Sequence, residues 1–106
     1  MPRRRRGGVI PTLSVPSGPK DLIAVQQTVR TYLVDLYTNM LKPAMQRKKE
    51  LEEVGEATTD VDRFIQSMLD EVGEMKREYL RIGRGEREWN KVLDDALIKV
   101  GLKQRD

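Results

Sequence analysis

The chain has 106 residues, no cysteine, no histidine, 35% charged and 38% hydrophobic residues, and a formal net charge of +3. That length bounds it to one small domain. The missing cysteines exclude disulfides and zinc–thiolate sites, and the missing histidine removes the commonest general base.

The positive charge belongs to one end. Residues 1–20 hold five basic residues and no acid, whereas residues 21–106 hold 15 basic and 17 acidic residues. A body with that balance is a poor surface for phosphate chains, because affinity grows with the number of phosphates neutralised. Residues 1–18 read as a disordered arm rich in Arg, Gly and Pro. The apolar content there, Val9, Ile10, Leu13 and Val15, is too thin to offset the entropy of ordering a chain. Those four side chains are nonetheless spaced to lie as an extended strip on a partner or on the helices. Arg3, Arg4, Arg5 and Arg6 are the candidate phosphate contacts, on nucleic acid or on lipid headgroups, and a nuclear import signal or a plain solubilising leader reads the same way. A flexible run of four arginines carries no base-reading geometry.

Ser17-Gly18-Pro19 is a helix entrance, with Ser17 or Gly18 as cap and Pro19 in the first turn, where its missing N–H costs nothing. Leu22, Val25, Val29, Tyr32 and Leu36 then recur at three-four spacing, and the stripe broadens through Leu33, Tyr37, Met40, Leu41, Ala44 and Met45. Such breadth suits a bundle helix better than a strict two-stranded coil. Pro43 predicts a kink rather than a stop, because helical periodicity resumes at once and no cap precedes it. The first helix is expected over 19–54, ended by Gly55.

Thr59 is the expected cap of a second helix over 60–82. From Val61 a four-three repeat runs through Ile65, Met68, Val72, Met75, Tyr79, Ile82, Glu86, Trp89, Leu93, Ala96 and Val100, and only Glu86 is polar. An average period of ~3.5 residues keeps one helix face against a neighbouring helix. Phe64 and Leu69 flank the seam and widen it. The expected interface residues are therefore Val61, Phe64, Ile65, Met68, Leu69, Val72, Met75, Tyr79, Ile82, Trp89, Leu93 and Val100. Core packing of the same chain is the competing use of Tyr79, Trp89 and the methionines. Gly83-Arg84-Gly85 leaves two readings open, a turn before a last helix over 86–100 or one continuous weak helix, since the seam keeps phase through the glycines. Gly101-Leu102 closes the last helix.

The expected fold is all-α and elongated: a helical hairpin, or a three-helix bundle or coiled coil, over residues 19–106, with the basic arm before it. Catalytic chemistry is not spelled out. Ser14, Ser17 and Ser67 lack a nucleophile elbow, and Gly83-x-Gly85 lacks the rest of a phosphate loop. Glu52, Glu53, Glu56 and Asp60 read as a solvated acidic patch rather than a cation site. No apolar run approaches ~18 residues, the length of a membrane span. The sequence thus points to a non-enzymatic helical interaction subunit, cytoplasmic or nuclear, without cofactor or small-molecule substrate. Its partners would be helical proteins or further copies of itself. The alternative is a nucleic-acid-associated protein acting through the arginine arm.

Overall fold

A computed structural model describes residues 10–104 of the chain. It is all-helical, with no strand among the described residues. The order is α1 (Pro19–Leu36), a π turn (Tyr37–Leu41), α2 (Lys42–Glu53), α3 (Thr59–Arg81) and α4 (Glu86–Lys99). The first three pieces form one continuous rod, so the chain folds as three helical rods.

The entrance to α1 uses Pro19 at the first helical position, with Gly18 as the cap residue. Ser17 donates to the Asp21 carboxylate from its hydroxyl at 2.6 Å and from its backbone N–H at 3.2 Å. Those two hydrogen bonds hold the Asp21 carboxyl below its ordinary range. Pro43 neither stops the rod nor leaves it regular. Its ring would press on the carbonyl four residues back, at Asn39. The turn before it widens instead, and the Lys42 N–H donates to the Tyr37 carbonyl, five residues back. The widened turn accommodates the ring, and it lets the adjacent Leu36 and Tyr37 both face inward. Burial pushes the Tyr37 hydroxyl up to about 12.

After α2 the chain reverses through a short turn. Lys48 pairs with Asp62 at 2.8 Å and Tyr32 meets Glu71, so α3 runs antiparallel to the first rod. The helix start lies one residue earlier than the sequence suggests: Thr58 is the cap residue, and its hydroxyl donates to the Asp62 carboxylate at 2.9 Å.

The open question at Gly83 resolves as a turn. Gly83 has φ +90, a conformation that L side chains rarely adopt. Its N–H and that of Arg84 bond back to the Leu80 and Tyr79 carbonyls, which closes α3. The third rod folds back: Gln26 meets Glu88, Arg30 meets Asp95 at 3.6 Å, and Lys42 donates to the Val100 carbonyl at 2.8 Å. Rising pairs on both rods mean that α4 lies parallel to α1. Lys42 also places its charge at the negative end of α4.

The core lies where the three rods meet. Val29, Leu33, Leu36 and Tyr37 of the first rod share it with Met68, Met75, Tyr79 and Ile82, and with Trp89, Val92 and Ala96 of α4. Leu13 joins them at 4% exposure. Composition leads to an expectation of disorder through residue 18, and within that span residues 10–17 carry no helix or strand. Residues 10–17 are extended and lie against the helices, because one leucine buries fully and its backbone finds partners. Burial of such a side chain contributes about 1.5–3 kcal/mol. Residues 1–9 of the expected arm lie outside the described residues. No helix among the described residues is long and apolar enough to cross a membrane.

Candidate interaction surface

The heptad seam divides along its length. Met68, Met75, Tyr79, Ile82, Trp89, Ala96 and Val100 are buried in the chain's own core. The helix that shields them is the first rod of the same molecule. Val61, Ile65, Val72 and Leu93 are half-buried. Phe64 and Leu69 remain exposed at 41% and 46%. Glu86, the lone polar position, is exposed at the start of α4, where a carboxylate suits the positive end of the helix. It pairs with Lys76 at 2.8 Å across the turn, and that pairing holds the Glu86 carboxyl low.

The partition follows from geometry. The C-terminal half of α3 and all of α4 face α1 and the π turn, and close a full core. The first turns of α3, around Val61 and Phe64, face α2 and the π turn, and α2 buries a single residue, Ala44. An open cleft of about 750 Å³ remains between them, lined by Met40, Pro43, Leu51, Val61 and Phe64, with Arg47 and Asp60 among its polar lining. Met45, beyond the π turn, is exposed as well.

Comparison with protein families, curated proteins and solved structures finds no match.

Two polar constructions escaped the sequence reading. The first centres on Glu88 of α4. Its carboxylate accepts from Gln26 of α1 at 2.9 Å, from Arg84 in the turn at 3.1 and 3.3 Å, and from the Tyr79 hydroxyl of α3. Burial pushes the Glu88 carboxyl up, but these hydrogen bonds outweigh it and hold it below the ordinary range. Burial, reinforced by Glu88, pushes the Tyr79 hydroxyl up to about 12. All three rods are joined through one carboxylate.

The second is a clamp on Leu13. The Glu78 carboxylate accepts from the Leu13 N–H at 3.0 Å, and Arg81 donates to the Leu13 carbonyl at 3.1 Å. Glu78 and Arg81 pair at 2.7 Å. Arg81 and the Leu13 N–H together lower the Glu78 carboxyl from 4.5 to about 2. The depressed value means the clamp's contribution is fully present above pH ~4.5 and is lost as pH falls toward 2. Asp21, Asp62 and Glu86 are depressed too and weaken in the same direction. The clamp is isolated by difference: the stability advantage of wild type over Glu78→Gln should shrink steadily between pH 5 and 2.5 in thermal melts. An advantage independent of pH would show that Glu78 is not holding Leu13 as a carboxylate.

Among the described residues, Glu71 is the one charged residue in the core, at 5% exposure. One carboxyl oxygen accepts from the Tyr32 hydroxyl at 2.7 Å, and the other has no partner among the described residues. An unsatisfied buried polar atom costs about 1–3 kcal/mol, against about 1 kcal/mol for a hydrogen bond lost. Glu71→Met should therefore melt at the wild-type temperature or a few degrees above it. A clear fall in melting temperature would show that the second oxygen is satisfied in solution.

Arg3–Arg6, the expected phosphate contacts, lie outside the described residues. Among the described residues no three carboxylates are placed to hold a metal ion.

Proposed function

We propose that this protein is a non-enzymatic helical interaction subunit, a three-helix bundle that docks an apolar helix face of a partner, or of a further copy, into the cleft between α2 and the first half of α3. One observation carries this reading: the seam that α1 covers along the rest of α3 and α4 is left partly open at Val61 and Ile65, with Phe64 and Leu69 exposed beside it. Contiguous apolar side chains at helical spacing beside a groove are what a helix-in-groove contact uses. Phe64 is the anchor, since a large ring reaching into a cleft dominates such contacts.

A photo-reactive residue placed at position 64 tests the reading. In extract of native cells, and in the purified chain at rising concentration, it should join the chain to a protein partner or to itself. The same group at the exposed Gln27 should not. Labelling that is absent from position 64, or equal at the two positions, would remove the proposal.

A further inference from the structure

Residues 10–17 touch the helices in a way unlike the rest of the fold. Leu13 is buried, Ile10, Pro11 and Pro16 are half-buried, and Thr12, Ser14, Val15 and Ser17 are exposed. Among the described residues, the backbone hydrogen bonds from this segment to α3 fall on Leu13, whose N–H and C=O are read together by the Glu78–Arg81 pair. The segment also leaves a space of about 240 Å³ against α1, beside Ala24, Val25 and Thr28. Ile10 packs at the edge of the core and Ser17 bonds to Asp21 of α1, so the hold on α3 is one buried side chain with two hydrogen bonds, as for a ligand seated in a slot. A region with so few contacts opens at lower free energy than the helices beneath it.

We infer that the slot at Glu78 and Arg81 is a recognition site for an extended peptide bearing one leucine, and that Leu13 fills it as an internal ligand. The chemistry of the site selects such a partner. A carboxylate acceptor and a guanidinium donor can read the N–H and C=O of one residue only if neither is used in a helix or strand. The apolar slot beneath accepts a branched aliphatic side chain and rejects a charge. Peptide recognition through main-chain bonds plus a side-chain pocket is a recurring mode. The tethered strap competes with any incoming peptide at an effective concentration of order millimolar, so the site is guarded rather than open. This inference is independent of the cleft at Phe64.

The test uses the full chain with Leu13→Asp, which vacates the slot, and a fluorescent synthetic peptide of residues 10–17. Anisotropy should show saturable binding to this variant and binding about tenfold weaker or more to wild type, where the strap competes. Adding Glu78→Ala and Arg81→Ala, or using a peptide with Asp in place of Leu13, should abolish it. A helical, cooperatively melting variant that binds no peptide overturns the inference, as does equal binding to every variant. Should Leu13→Asp fail to fold, hydrogen exchange in wild type decides. The Leu13 amide should exchange by local opening, far faster than the amides of Val29 and Leu33. Equal protection would make the segment a permanent part of the core and sink the proposal.

Discussion

Replacing Trp89 by alanine should come close to unfolding the protein. Trp89 is 2% exposed, and its ring lies 5.9 Å from that of Tyr79, tilted by 52°. It sits one turn into α4, beside the Glu88 carboxylate that joins the three rods. Truncating a buried tryptophan typically costs about 3–5 kcal/mol, through lost burial and the cavity left behind. A domain of this size stands only about 5–15 kcal/mol above its unfolded state. Each kcal/mol shifts the melting temperature of a small domain by about 4–8 °C. The expected fall is therefore at least about 12 °C, read by the helical circular dichroism signal. Trp89→Phe, which keeps a ring against Tyr79, should lose less than half as much. A near-native melt for the alanine variant would mean that the indole is not packed as described.

The second large effect separates the two parts of the seam. Met68 and Phe64 are one helical turn apart on α3, the first in the seam and the second flanking it, and both are among the expected interface residues. Met68 is 2% exposed and Phe64 is 41% exposed. Met68→Asp places an unpaired carboxylate in the core and should cost about 4 kcal/mol or more. Phe64→Asp ends in water and should cost less than about 1 kcal/mol. Urea titrations of the two variants should give a much lower midpoint for the first and a nearly unchanged one for the second. Comparable midpoints would erase the distinction between covered core and open cleft on which the proposed docking face depends. The Phe64→Asp chain, folded but altered at its cleft, is then the natural reagent for partner loss.

The legible parts of this fold were those set by local chemistry. The helical period marks the rods, and the entrance at Gly18–Pro19 needs only residues close in sequence. Gly55, which bonds back to Glu52, and Gly101, which bonds back to Ile98, end rods at the expected places for the same reason. The turn at Gly83 was half legible. The unbroken phase of the seam argued for continuity, yet Glu86, its only polar member, marked the break. Phase survives because α3 and α4 both present their apolar positions to the same rod. A period records that a face is covered; it carries no record of the direction from which cover comes. Composition leaves the place of the strap open for a related reason. Composition weighs residues 10–17 as a whole, but Leu13 is the one buried residue among them, and its partners Glu78 and Arg81 lie more than sixty positions away.

The sequence by itself determined the helical class, the rod ends and the positions that must be shielded from water, because propensity, capping and amphipathic period act within a few residues. Only the tertiary structure decided which neighbour shields them. The π turn ahead of Pro43, the short turn at Gly55 and the fold-back at Gly83 together set how the rods meet. They direct most of the seam onto the chain's own first helix and leave the stretch around Phe64 uncovered. Pairings such as Gln26 with Glu88, or Leu13 with Glu78, exist only once distant segments share one place, since a hydrogen bond or a buried contact is made between atoms a few ångströms apart however far apart they stand in the chain.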